Sequence, residues 1–491
     1  MSDALTSNVD DLAETIRRQA EIINQQAEAI RKLEEEVSRL KELLEGKADG
    51  KASKKPVFKD DYSLDGNKKR NPKNSNKKKS GTKPGRKPNT LKRKRATEQV
   101  DVYPDGVDRK ACIRHRTQFA WRIIDGKAIY VCYDIYDHPD SRQLSLPAGL
   151  RNSRSEFGIE IILILAFLHF WIGVSLDNVC QIMEFFTGLQ LPKSQANSLL
   201  SQLAADWDEQ YDTIAELIAL QMIVYIDETG WKVGKKSCYT WVFSTTMHVL
   251  YRCGVSRRKE EVSKVLGDAF GGIGVTDDYA AYKHMFTEHQ LCWAHLIRKA
   301  IKLALQNPDE PEYATFLDEL CCIYDDAKEL RDANTSNATD EERTAVVKQL
   351  QARVDALCTR HQEKIIKSDS PDTAKTPAHV ETYILLQREL MKNLDCLFVF
   401  VKHPAVEPTN NRSERNVRRE AEIRKGARTS KTDKGAIRRS VIVTVLGSLQ
   451  TRIEHFTLSR MLDEINRWIT TGSSIFEHEL SNLQSNRPAA V

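Results

Sequence analysis

The chain has 491 residues, 40% of them hydrophobic and 29% charged, with ten Cys. That length predicts about three domains, and Cys this sparse exclude a disulfide scaffold. The net charge is only +5, but 18 Lys and Arg against 3 Asp fall between Lys51 and Arg95, which leaves the rest of the chain acidic and points to a polyanion partner.

The first residues are polar and acidic, with no apolar leader. The longest apolar run within Phe157 to Val174 is Ile161 to Leu168, far short of the roughly 20 residues a membrane span needs. A soluble, cytoplasmic protein without a membrane partner is expected. Residues 9 to 44 carry a heptad, with Val9, Ile16, Ile23, Ile30, Val37 and Leu44 at one seam position and Leu12, Gln19, Gln26, Leu33 and Leu40 at the other. β-Branched residues beside Leu are the pairing of a parallel two-stranded coiled coil, and the central Gln pair weakens the seam while fixing its register. Residues 1–46 are therefore predicted to join two copies of the chain; a helix packed on its own protein is the alternative. Asp65 to Thr90 contains no hydrophobic residue, so 47–98 is predicted to be a disordered basic linker. Within it, Lys83-Pro-Gly-Arg-Lys-Pro88 resembles a minor-groove Arg hook without the usual Arg-Gly-Arg-Pro core, with Arg86 and Lys87 as its DNA contacts.

Residues 99–150 read as a small β module. Its strands are Gln99–Tyr103, Ala120–Ile124 and Ala128–Tyr133, and Asp125-Gly126 is a hairpin turn signal. Cys112, His115, Cys132 and His138 are candidate zinc ligands, but they lack tight Cys-x-x-Cys pairs and zinc is not expected. Residues 151–220 read as helical. Ser175–Phe186, then Thr187-Gly188, then Pro192–Trp207 has the layout of a helix-turn-helix, with Pro192 in the first turn of the second helix; plain helix packing is the alternative.

Residues 221–439 carry the chemistry. Gln221–Trp231 is an apolar strand that reaches a carboxylate at Asp227; Ser237–Ser244 and His248–Arg252 follow as strands, Lys259–Phe270 as a helix, and Gly274–Asp277 as a short strand ending in a second Asp. Three strands, a helix and a fourth strand with a terminal Asp is how an RNase H-like domain opens. There the first and fourth strands lie side by side, so Asp227 and Asp277 are predicted to meet. Ile273, Val275 and Asp277 alternate along one face, which favours Asp277 over Asp278. Paired carboxylates make a hard-oxygen site suited to Mg²⁺, and two such ions activate an attacking oxygen and stabilise a leaving one. Glu414, in Pro408-Thr-Asn-Asn-Arg-Ser-Glu414, is the candidate third carboxylate. Asn411 is predicted to cap its helix with Glu414 as the capping-box acid. From Arg412 to Arg439 eleven basic residues face four acids, which suits a phosphate backbone and makes Arg412, Arg415, Arg418 and Arg419 candidate DNA contacts. Cys292 and His295 are predicted to share a helix face, with His289 one step earlier.

Tyr225-Ile-Asp-Glu-Thr-Gly-Trp231, Asp277-Asp-Tyr-Ala-Ala-Tyr282, Gln290-Leu-Cys-Trp-Ala-His295 and Asn410-Asn-Arg-Ser-Glu-Arg415 together resemble the signature blocks of the insertion-sequence-66 family of DDE transposases. The coiled coil, basic spacer, β module and helical segment ahead of them are similar to that family too. The resemblance implies Asp227, Asp277 and Glu414 as a catalytic triad holding two Mg²⁺ or Mn²⁺ ions, with Trp231, Cys292, Trp293 and His295 as structural residues beside it. It implies a bacterial or archaeal nucleoid protein that binds transposon ends and target DNA and carries out metal-dependent cleavage and strand transfer, with helper proteins as further partners. The expected architecture is multidomain α+β and α/β. An RNase H-like core with a mixed sheet, flanking helices and a helical insertion at about 300–395 is followed by closing helices over 440–491. Tyr313–Lys328 and Ala345–Arg360 are helices of the insertion, and Ser440–Ile469 two helices of the tail. An RNase H-fold nuclease or resolvase that cuts without joining, a non-catalytic DNA-bridging protein, and an inactive copy of a transposon gene are the rival readings.

Overall fold

The computed structural model describes residues 90–485, apart from 105, 140–146, 148, 151–154, 269, 334–337 and 369–376. The heptad region, the linker up to residue 89, Arg86 and Lys87 lie outside the described residues.

After α1 (Thr90–Arg95), three strands form a small sheet: β1 (Glu98–Val102), β2 (Ile113–Ile124) and β3 (Lys127–Asp137), in the order β1-β3-β2. β2 and β3 are an antiparallel hairpin. Asp125 and Gly126 both take positive φ, as its two-residue turn requires. β2 and β3 run longer than predicted, over 12 and 11 residues. Helices α2 (Ile159–Ala166), α3 (Leu176–Thr187), α4 (Lys193–Asp206) and α5 (Asp208–Ala219) follow. The apolar run from Ile161 to Leu168 is taken up by buried α2 and a π-helical turn over Phe167–Trp171. Pro192 is the residue that caps α4, not a member of its first turn.

The second sheet has five strands: β4 (Ile223–Val233), β5 (Lys236–Ser244), β6 (Val249–Val255), β7 (Phe270–Thr276) and β8 (Phe286–Leu291), in the order β6-β5-β4-β7-β8. β4, β5 and β6 pair antiparallel, and β4, β7 and β8 parallel. α6 (Glu260–Leu266) connects β6 to β7 and is shorter than predicted, since Phe270 already belongs to β7. Ile223-Val-Tyr-Ile of β4 is buried or nearly so, as an interior strand of a mixed sheet requires. Its residues divide between two cores. Val224 and Ile226 join the one built with α2, α4 and α5, while Tyr225 joins Ile273, Val275 and Leu291 in the other.

That second core is completed by α7 (Trp293–Gln306), α8 (Pro311–Ala333), α9 (Asp340–Ser368), α10 (Ala378–Lys392) and α11 (Val399–Lys402). The predicted insertion helices fall within α8 and α9. The chain then returns as α12 (Asn411–Lys425), α13 (Asp433–Arg452), α14 (Leu458–Thr471) and α15 (Ile475–Ser485). The two helices expected over Ser440–Ile469 are α13, which begins earlier at Asp433, and α14, with α15 following them.

α13 lies against the sheet edge. Strand β6 is terminal, and its N–H groups would be unpaired there. Instead Cys253, Tyr251 and Val249 donate to the hydroxyls of Ser440, Thr444 and Ser448 at 2.9, 2.9 and 3.1 Å. Four helical residues rise about 6 Å and two strand residues about 6.8 Å, so the two spacings nearly match. Gly447 permits the approach: a Cβ there would stand 2.5 Å from Val249 Cγ1. Among the described residues, no helix is long and apolar enough to cross a membrane.

Candidate active site

The parallel register of β4 and β7 pairs Val224 with Gly274 and Tyr225 with Val275. Two residues further along each chain stand Asp227 and Asp277, on the face shared by Tyr225, Ile273 and Val275. Asp227 accepts the N–H of Glu228 at 2.9 Å, and Asp277 that of Tyr279 at 3.1 Å. Burial, then the charges of Glu228 and Asp277, push the Asp227 carboxyl up to about 8. Glu414 adds to this at longer range. No Lys or Arg among the described residues is ion-paired to Asp227 or Asp277. Two neighbouring carboxylates without an ion-paired Lys or Arg of their own fit a divalent ion held by carboxylates. Asp278 interacts instead with Lys283, Lys392 and Cys396.

Glu414 stands in the first turn of α12, near the pair but held from outside it. Arg298 Nη2 on α7 meets both its oxygens at 3.2 Å, and His295 Nδ1 lies 3.5 Å from Oε1. The expected capping box does not form. Asn410, not Asn411, precedes the helix, and its side chain donates to Ile226 O at 2.7 Å rather than capping α12. The side chain of Glu414 is drawn to α7, whose cations a local sequence pattern cannot register.

The Cys292–His295 element is also placed differently. Cys292 caps α7, His295 lies in its first turn, and His289 belongs to strand β8, where it meets Thr276 Oγ1 at 2.8 Å. Cys292 is fully buried, accepts the N–H of Asn410 at 3.1 Å, and has its thiol pushed up by burial. Trp293 and Trp231 are buried props: their indole N–H groups donate to Leu397 O at 2.6 Å and Ser430 Oγ at 3.2 Å. The four candidate zinc ligands of the β module do not gather. Among the described residues, they belong to no group of three or more ligands within metal-binding reach; Cys112 turns to Asp108 O and His115 to Asp137.

Glu228 was not singled out by the sequence reading. Its side chain is only 3% exposed, receives Tyr282 Oη at 2.6 Å and is gripped by Arg257 at 2.7 and 3.0 Å. Arg257 in turn lies over the Tyr279 ring at 3.9 Å. This network ties β4 to the turn that carries Asp277. An acid between Asp227 and Thr229 in an otherwise apolar strand was the available signal. Arg298 and Asn410 were missed as partners, because their contacts cross 116 and 184 residues of chain.

Of the candidate DNA contacts, Arg412 is tied down by Glu407 at 2.6 Å and stands over Tyr225 at 5.4 Å, which turns it inward. Arg415 and Arg418 are exposed. With Arg419, whose guanidinium sits 3.2 Å over the Trp171 ring, and Arg428 they line a cavity of about 450 Å³ beside Gly173. One acid, Glu422, interrupts this basic surface.

A family model described as "Transposase IS66 family" matches residues 154–438, more than half of the chain. No curated protein matches it.

Proposed function

Because the chain belongs to the IS66 transposase family, with a transposition-related function on DNA, we propose that it binds transposon ends and catalyses metal-dependent strand cleavage and strand transfer. The observation that carries this is the parallel pairing of β4 and β7, which brings Asp227, inside β4, alongside Asp277, just past the end of β7, with neither ion-paired to a Lys or Arg among the described residues. Sheet order β6-β5-β4-β7-β8, antiparallel on one side and parallel on the other, supports an RNase H-like core.

DDE families generally use divalent metal ions, and Asp227, Asp277 and Glu414 would hold two, as Mg²⁺ or Mn²⁺. When bound, such ions activate the attacking oxygen, first of water and then of a DNA 3′-hydroxyl, and stabilise the leaving one. The chain's own residues prepare that site. Burial and the neighbouring acids favour the protonated form of Asp227 near neutrality, and a bound cation would take that proton's place. Glu228, clamped by Tyr282 and Arg257, holds the Asp277 turn against β4. Glu414 enters by leaving Arg298, a side chain 55% exposed and therefore a weak partner. Arg415 and Arg418 grip DNA phosphates on the same helix that carries Glu414, coupling DNA position to the triad. Residues 1–46 would pair two copies so that two ends are held together, the linker with Arg86 and Lys87 would lie along the minor groove, and α3 and α4 would read end sequence.

Incubating the protein and Asp227→Asn, Asp277→Asn and Glu414→Gln variants with labelled end DNA and a plasmid target tests this. Cleavage and joining are expected only with Mg²⁺ and only in the unaltered chain, while the variants still bind DNA. Cleavage without joining would replace it with the nuclease reading. Cleavage that survives Asp227→Asn would remove the triad.

A further inference from the structure

The geometry points to a second and softer metal site beside the carboxylates, a zinc site formed by Cys292, His295 and Glu414. Sγ of Cys292 lies 3.8 Å and Nδ1 of His295 3.5 Å from Glu414 Oε1. All three ligand atoms fall within 4.8 Å of one another, the one such group among the described residues. Tetrahedral ligands at zinc bond lengths stand roughly 3.3–3.7 Å apart, so a small contraction closes one face of the tetrahedron.

The surroundings are those of a metal site. Nδ1 of His295 is buried and makes no hydrogen bond, although it lies 3.5 Å from Glu414 Oε1. Asn410 Oδ1 is buried without a hydrogen-bond partner immediately before α12. Cys292 Sγ accepts the Asn410 N–H, an outer contact of the kind that steadies a metal thiolate. The donors come from the starts of two regular helices, and Cys-x-x-His is a spacing that lets one helix end supply two ligands. One sulfur, one imidazole and one carboxylate make a borderline set that suits Zn²⁺ better than Mg²⁺. Three protein ligands leave a fourth position for water or a phosphate oxygen. Arg298 must yield Oε1, which its exposure allows, and can keep its contact with Oε2. The ion would bolt α12 to α7 and so position Glu414. This goes beyond the transposase reading and does not require it, since binding needs no reaction.

The test uses the full chain, stripped with chelator and refilled with Zn²⁺ or Co²⁺ alone. One zinc per chain is expected by elemental analysis. Co²⁺ should give the visible bands of tetrahedral coordination with a thiolate charge-transfer band. Cys292→Ser should abolish that band and weaken zinc binding at least about tenfold. His295→Asn, which keeps every thiol, should weaken it similarly, so the result does not hang on one variant's folding. Cys322→Ser, which removes an exposed thiol outside the cluster, should leave the thiolate band unchanged. Absence of bound zinc, a thiolate band that persists in Cys292→Ser, or loss of the band in Cys322→Ser would each overturn the site. Zinc retained in a chain that never cleaves DNA would overturn the transposase reading and leave the zinc site standing.

Discussion

Asp227 sits in a strand whose neighbours all work against its charge. Burial comes first, then Glu228 and Asp277, and they raise its carboxyl from the ordinary range to about 8. The folded chain therefore binds a proton that the unfolded chain releases near pH 4. Between those values the unfolded state holds fewer protons, so stability is full below about pH 4 and falls as pH rises towards about 8. Asp227→Asn removes that loss. Without divalent ions the variant is expected to be more stable than the unaltered chain at pH 8, on the order of 1–3 kcal/mol, with the gap closing towards pH 4 in urea titrations. The same proton must leave when Mg²⁺ binds. Calorimetry at pH 7 in buffers of different ionisation enthalpy should show about one proton released per chain, and none in Asp227→Asn.

At the scale of elements, α13 and β6 act as a single unit. Thr444→Val keeps the shape but leaves the Tyr251 N–H unpaired in a buried place. The expected cost is about 1–3 kcal/mol, read as a lower urea midpoint, with Thr444→Ser close to the unaltered chain. This ladder was not legible in the sequence, where Ser440, Thr444 and Ser448 are weak helix formers and their partners lie 187 to 199 residues away. What was legible had a local period. The alternation of Ile273 and Val275 marked two residues that share one core, and Asp125-Gly126 marked the hairpin turn. The capping box fails where a distant charge overrides a local pattern: Arg298, 116 residues away in the chain, takes Glu414 from it. His289 was put on the following helix because the residues before Cys292 carry no turn signal to end a strand.

Across the whole molecule, α12 joins the basic surface to the candidate triad, and one buried ion pair fixes it to α13. Glu420 on α12 meets Arg439 on α13 through two bonds of 2.7 Å, with both side chains at or under 6% exposure. Arg439→Met strands the Glu420 charge and should cost about 3–5 kcal/mol, whereas Arg439→Met with Glu420→Leu should recover much of it. The exposed Arg415 and Arg418 predict a salt effect. Replacing both with Ala should reduce the slope of log affinity for duplex DNA against log salt by about 2, measured by fluorescence anisotropy across salt concentrations. The hydroxyl ladder also sets a timetable for synthesis. Strand β6 is complete at Val255, but its cover arrives with Ser440, 185 residues later. At roughly 5–20 residues per second, a ribosome takes about 10–40 s to reach it. For that interval every nascent chain trails a bare strand edge, and neighbouring chains on one messenger trail the same edge side by side. Crowded translation, rather than the finished protein, is where this sheet is most exposed to pairing with the wrong copy.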